Sequence, residues 1–468
     1  MYLKIAELVL VVSFAALAIS CNRKNQSNNK FTGAEHEIKL MTLAPGHFHA
    51  ALVQKIQYAQ VSSLVYIYSP EGKDVKDHLA RIDAFNNRSE NPTNWESIVY
   101  TGSDYLEKMI SEQPGNVMIT SGKNDIKIDS IKTAIDAGIS VLADKPMCID
   151  REGFELLIKT FDSAKKNNVL LYDIMTERSE ITTILQKELI EIPEVFGSII
   201  KGSLENPAVV KSSVHHFYKY VGGKPLKRPD WFFDSALQGD GLVDVTTHLV
   251  DLVQWELFPG QILDYKTDIE IIDPKYWPTN ISLEQFSSVT KLEKFPEYFK
   301  SKIRKNVLPV YCNGEINYSL KGIHAKVVVE WKYQAPEGGA DTHFSVIKGS
   351  KSNIIIKQGK EQNYKPELYI ETNEGIDKEE LNKQLNRSFV KLQAKYPGIE
   401  VERENNYWHI IIPDKYRIGH EAHFGQVMER YLDYLVDGKL PEWEVPNMLA
   451  KYYTTTEALR IAQENLIP

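Results

Sequence analysis

The sequence predicts an α/β chain in two parts, a doubly wound parallel sheet followed by a domain on an open, mainly antiparallel sheet. Three observations predict it. Between Ile38 and Asp173 short β-branched runs alternate with helix-length amphipathic stretches, the rhythm of repeated βαβ units. After Met175 the apolar residues alternate one by one, as in Ala325, Val327 and Val329 against His324, Lys326 and Val328. That is the pattern of a sheet with one covered face. The chain, at 468 residues, is also long enough for more than one hydrophobic core.

The first 36 residues stand outside this fold. Lys4 precedes an apolar run over 8–19, too short to span a bilayer comfortably, which ends in Leu17-Ala18-Ile19-Ser20-Cys21. Small residues just before a cysteine resemble a bacterial lipoprotein signal, with residues 1–21 the signal and Cys21 the lipidated residue. A plain secretory signal or a membrane anchor is the alternative. Residues 22–36 are a polar tether rich in Asn and Lys, unable to bury a core. The resemblance implies a lipid-anchored protein of the bacterial cell envelope, facing the periplasm and touching the membrane only through its anchor. Cys148 and Cys312 are the other cysteines, too few for a disulfide framework, and the sequence leaves their pairing open. A net charge of −8 argues against a nucleic-acid partner.

In the first domain, residues 37–174, the periodicity predicts strands over 38–44, 63–69, 97–100, 116–120, 140–143 and 169–173. Helices are expected over 49–60, 74–85, 105–111, 127–137 and 152–166 between them. Ligands of such sheets bind outside the carboxyl ends of the strands. The turn after the first strand, Ala44-Pro45-Gly46-His47-Phe48-His49, stands where a dinucleotide-binding fold places G-x-G-x-x-G, and only Gly46 is kept. Alternatives are a simple strand-to-helix turn, or a metal-dependent amidohydrolase, which His47-x-His49 at a strand end resembles. The amidohydrolase would need a barrel with ligands at later strand ends, and Ser69 and Ser121 stand there. No metal is expected.

The second domain, residues 175–468, is expected to hold strands over 197–203, 209–216, 262–272, 310–320, 323–333, 344–348, 354–357, 367–370 and 408–412. Helices are expected over 245–257, 379–395, 421–436 and 448–463, the last packing back on the first domain. The chemistry is expected around Gly239 to Asp251. Its glycines let the backbone turn sharply or approach a ligand. Asp244 and His248, four apart, share a helix face, a carboxylate beside an imidazole that can move a proton. The bland reading is a cap and a core histidine. His420 and His423, three apart, could reach the same pocket.

Three motifs in order shift that balance. Ala134 to Pro146, with Asp144-Lys145-Pro146 at its end, resembles the A-L-x-x-G-k-x-V-x-x-E-K-P signature of the Gfo/Idh/MocA oxidoreductases. Asn124 falls on the Asn of that family's T-P-N-x-x-H, and Gly239 to Asp251 is similar to its G-G-G-x-x-x-D-x-x-x-H-x-x-D. Departures are Ala44 and His49 for turn glycines, Lys127 for the motif His, Asp144 for Glu, and Ser69-Pro70-Glu71 where an acidic residue would grip the ribose.

The resemblance implies a Rossmann-like first domain and an oxidoreductase that binds NAD, in preference to NADP, and holds it tightly. Cofactor-binding residues would be Ala44, Pro45, Gly46, His47, Phe48, His49, Ser69, Ser121, Asn124, Asp144 and Lys145. Lys145, His248 and Asp244 would be catalytic: Lys145 polarising the substrate oxygen, His248 near its ordinary pKa taking the hydroxyl proton, Asp244 orienting the imidazole. His215, Tyr218 and Trp231, with Asp244 and His248, would hold a sugar, glycoside or polyol, and the C-terminal sheet could pair copies into a homo-oligomer. Two alternatives stand beside this dehydrogenase: an NAD-assisted glycosidase of the same family, and a non-catalytic sugar-binding lipoprotein on a degenerate nucleotide fold.

Overall fold

The computed structural model describes residues 31–221, 224–405 and 407–465. The signal, Cys21 and most of the tether lie outside the described residues. β1 (Leu40–Leu43), α1 (His49–Leu52), β2 (Leu64–Ser69), α2 (Lys73–Asn87), β3 (Glu96–Thr101) and α3 (Tyr105–Glu112) open the first domain. β4 (Val117–Thr120), α4 (Lys127–Asp136), β5 (Ser140–Asp144), α5 (Arg151–Asn167) and β6 (Leu171–Ile174) complete it. The six strands are parallel in the order β3-β2-β1-β4-β5-β6. Every residue of β1, β4, β5 and β6 is buried, as expected of strands with helices on both faces. The order reverses between β1 and β4, and the turns leaving those strands border the binding crevice of such a sheet.

One helix is shorter than its periodicity predicts. α1 spans four residues, not 49–60, because side chains take the carbonyls a longer helix would use. Tyr58 Oη donates to Val53, Trp95 Nε1 to Gln54 and Arg88 Nη2 to Lys55.

The second domain contains α6 (Ile181–Ile190), β7 (Val209–Tyr218), the hairpin of β8 (Tyr220–Val221) and β9 (Lys224–Pro225), α7 (Ser235–Gln238) and α8 (Thr246–Leu257). It continues through β10 (Ile269–Ser282), α9 (Leu283–Thr290), β11 (Val307–Leu320), β12 (Ile323–Gln334), β13 (Thr342–Lys348), β14 (Ser352–Gln358) and β15 (Glu367–Thr372). α10 (Lys378–Lys395), β16 (Glu400–Glu404), β17 (Tyr407–Ile411), α11 (His420–Asp437) and α12 (Glu444–Glu464) end the chain. Nine strands form one sheet, antiparallel except where β12 runs parallel to β7. Ala325, Val327 and Val329 of β12 face the core, while Lys326, Val328 and Glu330 between them are half-buried.

Two strand expectations are corrected. Residues 197–203 make only isolated bridges, Ile199 to Gly349 and Gly202 to Pro207. The strand expected over 262–272 begins at Ile269, after a turn closed by Asp264 and Asp268, and runs on to Ser282 through Pro274 and Pro278. Prolines cannot donate to a ladder, and β10 tolerates them because it is an edge strand. Cys148 and Cys312 are free thiols. Among the described residues no helix is long and apolar enough to cross a membrane.

The chain end returns to the first domain. α11 packs on α1 and β6, and α12 on α5, α8 and β10. A buried ionic network ties these parts together. Arg178 donates to Asp251 (2.6 and 2.7 Å) and Glu444 (3.1 Å), and Lys451 to Asp173 (2.7 Å) and Asp251 (3.0 Å). Tyr452 and Tyr172 add hydroxyl bonds to Asp173 and Glu444. Each carboxylate has a cation and a hydrogen bond, the condition under which charges survive burial. α8, which carries His248, is thereby fixed through Asp251.

Candidate active site

The site lies where β1, β4 and β5 end and α8 begins. After β1 the chain turns tightly: Ala44 takes a left-handed conformation (φ 44°), and Gly46 N–H donates back to Ala44 (2.7 Å). His47 N–H donates to Ser121 (3.0 Å), joining this turn to the one after β4. Gly122 makes the contact possible, since a Cβ there would stand 2.6 Å from the Ala44 carbonyl oxygen. The sequence signal for it is a glycine two residues past a strand end. A Cβ on Gly46 would meet Asp74 Oδ2 at 3.0 Å and Trp231 at 3.2 Å. Trp231, expected to hold sugar, donates from Nε1 to Asp74 (3.1 Å), so it closes the second domain over this turn.

Behind the turn is Asp144, 4% exposed at the end of β5. His49 Nδ1 lies 3.0 and 3.1 Å from its two oxygens, His47 Nδ1 3.7 Å from Oδ2, and Ser121 Oγ donates to Oδ2 at 2.8 Å. Burial lowers the pKa of both imidazoles, His47 more strongly. For Asp144 burial pushes upward, but His49, Lys127 and His47 outweigh it and hold the carboxyl well below its usual range.

Asn124 and Lys127, the positions matched to the family's Asn and His, are both buried. Asn124 donates to the Gln238 carbonyl (2.6 Å). Lys127 donates to Asn124 Oδ1 and to the carbonyls of Asp144 (3.0 Å) and Pro146 (3.1 Å). Burial lowers Lys127 to about 8. These two side chains hold the β5 end against the Gln238 turn. Ser69, at the end of β2, is buried and its carbonyl accepts from Gly102 N–H.

Lys145 follows Asp144 and reaches across the domain boundary, its Nζ 2.7 Å from Asp244 Oδ1, with both side chains about nine-tenths buried. Gln238 donates to the other oxygen (3.1 Å). The glycines expected to admit a ligand do something else. Gly239 (φ 97°) turns the chain, and Gly241 presses on the backbone of β11, where a Cβ would lie 2.3 Å from Asn313. α8 starts at Thr246, so Asp244 precedes the helix and its carboxylate serves Lys145 and Gln238. It does not orient His248. Burial first, then the charge of Lys145, lowers His248 to about 3, not the ordinary value expected. Its Nδ1 is buried with no hydrogen-bond partner among the described residues.

Sequence reasoning missed Glu177, which lies just beyond β6. His420, at the start of α11, places Nδ1 3.2 Å from Glu177 Oε1 and is itself half-exposed. Burial pushes Glu177 up, but the hydrogen bond and contact with His420 outweigh it and hold the carboxyl well below its usual range. His423, three residues on, is buried and pairs with Gln426 (2.9 Å). No local pattern marks Glu177. His215 contacts Asp341 (3.3 Å) and lies over Trp331, His216 contacts the same carboxylate (3.0 Å), and Tyr218 packs on Tyr333.

Over the β1 turn lies a shallow groove lined by Pro45, Gly46, His47, Phe48, Lys73, Asp74, Arg81, Lys227, Arg228 and Phe232 among others. The family described as "Putative oxidoreductase C terminal domain" matches residues 185–463. A crystal structure of a "putative oxidoreductase" from Parabacteroides merdae is 58% identical, covering 93% of this chain and 100% of its own, with a TM-score of 0.92. The chain belongs to this oxidoreductase family. It has the Gfo/Idh/MocA fold, shared at low identity with more distant structures. GenD2 from gentamicin A biosynthesis, solved with NAD, is 14% identical over 93% of this chain and 97% of its own, with a TM-score of 0.57. Levoglucosan dehydrogenase, solved with NADH, is 12% identical over 92% and 97%, with the same TM-score. No curated protein matches the chain.

Proposed function

We propose that this oxidoreductase transfers hydride between NAD(P) and a hydroxyl carbon of a sugar, glycoside or polyol. The observation that carries the reading is the buried Lys145–Asp244 pair at the carboxyl end of β5, beside the orphaned ring nitrogen of His248. Burying an ion pair and leaving an imidazole unpartnered are both costly, and such groups gather where a polar ligand completes them. Distant relatives of the fold solved with NAD or NADH, one a levoglucosan dehydrogenase, support the cofactor and substrate classes.

The residues present fit a nicotinamide dinucleotide. Its pyrophosphate would lie in the groove by Gly46, where Lys73, Arg81, Lys227 and Arg228 bring positive charge, and its nicotinamide would reach Lys145. When bound, the nicotinamide supplies the hydride acceptor. Lys145, positioned by Asp244, donates a hydrogen bond from Nζ to the substrate oxygen and stabilises negative charge there. Gln238 holds Asp244 in register with it. His248 is neutral and too weak a base to keep a proton, so it passes the hydroxyl proton on. The Glu177–His420 pair receives it, and half-exposed His420 delivers it to solvent. His215 and Tyr218 flank the sugar from β7.

Incubating the purified protein with NAD or NADP and a panel of sugars and glycosides, and following reduced nicotinamide, tests this. Failure to bind either nucleotide by calorimetry would overturn it. The same reading tethers the enzyme to the envelope through Cys21, and Cys21→Ala is expected to release it from membrane fractions with its fold intact.

A further inference from the structure

The turn after β1 holds more than a nucleotide needs. Two imidazoles, His47 and His49, converge on one carboxylate, Asp144, and one ligand atom from each of the three lies within 4.8 Å of the other two. We propose that these three side chains form a binding site for a divalent transition-metal cation of the zinc class, open toward the groove above Gly46.

The spacing suits such an ion. Ligands at 2.0–2.2 Å in a tetrahedron stand about 3.3–3.6 Å apart. The separations of Asp144 Oδ2 from the two ring nitrogens, 3.0 and 3.7 Å, bracket that value. A hydrogen-bonded His–Asp pair accounts for His49 alone. It leaves His47 Nδ1, which is buried and has no hydrogen-bond partner among the described residues. A cation at the common focus satisfies both rings at once.

The surroundings hold the ligands in place. Ser121 Oγ donates to Asp144 Oδ2 (2.8 Å), the kind of outer contact that orients a ligating carboxylate. Phe48 packs on both imidazoles, with ring centroids 4.6 and 4.5 Å away, and Phe424 on His49 at 4.6 Å. Three protein ligands leave at least one position of a tetrahedron free, the arrangement of zinc sites that bind water or a substrate oxygen. Of the three, His47 lines the groove, so the free position faces it and would take an oxygen ligand. Imidazole nitrogen with one carboxylate favours zinc-class ions over magnesium or calcium, which prefer all-oxygen cages. The site also gives a reason for histidine at a turn where glycine would suffice for a nucleotide. Metal binding here does not depend on the hydride reading, since neither Lys145, His248 nor a nucleotide takes part in it.

The test is titration of the chelator-dialysed full-length protein with Co²⁺, followed by the visible absorption of the bound ion, with Zn²⁺ as competitor. One ion per chain is expected, displaced by Zn²⁺. His47→Ala and Asp144→Asn should each weaken binding by ~100-fold or more, while His324→Ala, on the distant sheet, leaves it unchanged. Circular dichroism of each variant separates a lost ligand from a lost fold. Should both variants misfold, the wild-type titration still decides. No saturable Co²⁺ binding by the wild type, or binding that survives both substitutions in folded protein, overturns the proposal.

Discussion

The two ends of the crevice are built differently. At the Lys145–Asp244 end the chain keeps the residues of its family's motif, in a dry, cross-domain contact braced by Gln238. At the β1 turn it has replaced two of three glycines and filled the space with Ala44, His49 and the Asp74–Trp231 contact. The proposed chemistry depends on one buried pair and one orphaned imidazole, which few other side chains can imitate. Gripping a phosphate can be done by many cations as well as by backbone N–H groups, so that end is free to vary.

The largest effect should come from the chemical end. Lys145→Ala or His248→Ala is expected to lower kcat by ~10²-fold or more, and the double variant should fall short of the product of the two. Steady-state kinetics of the three proteins checks this. Full activity in the double variant would break the distinction between the ends. Next comes the support beneath that end. Asp251→Ala leaves Arg178 and Lys451 buried with one carboxylate fewer between them, and should cost about 3–5 kcal/mol of folding stability, read by denaturant titration. A loss below about 1 kcal/mol would mean the network does not fix α8.

The parallel sheet was legible because its period is local. Every strand of β1–β6 falls within three residues of its expected bounds, since β-branched runs such as Val117–Thr120 are buried on both faces and carry no competing signal. α1 was misjudged because what ends it comes from Tyr58, Trp95 and Arg88, and no window over 49–60 contains all three. The site was legible where a motif marks it, at Lys145, Asp244 and His248. Its electrostatics were not. The pKa of His248 depends on burial and on a lysine 103 positions away. Glu177 enters only through residues that the fold brings beside it.

A smaller effect should separate binding from chemistry at the turn. Gly46→Ala puts a Cβ against Asp74 and Trp231, which must shift by a few tenths of an ångström. KM for the nucleotide is expected to rise ~10-fold, about 1.4 kcal/mol, with kcat within about twofold. An equal fall in kcat would show that the turn also sets the geometry at Lys145, and the two ends would then act as one.

The smallest effect compares two buried histidines, one at each end. His78, beside the groove, is 2% exposed and neither ring nitrogen has a hydrogen-bond partner among the described residues; burial lowers it to about 4. His248 is lowered to about 3. An unfolded histidine titrates near 6.5, so between these values and 6.5 the unfolded chain binds more protons than the folded one. Stability from each neutral, buried ring is thus complete above about pH 6.5 and is lost as the pH falls, by roughly 1–2 kcal/mol per histidine between pH 7 and 5. His78→Leu removes one such term without breaking a hydrogen bond. The variant should therefore lose less stability than wild type between pH 7 and 5, by about 1–2 kcal/mol in denaturant titrations, and keep its kcat. His248→Leu should show the same relief in acid but lose turnover. If the two variants behave alike in kcat, the orphaned nitrogen of His248 has no part in the reaction, and its burial is a packing feature like that of His78.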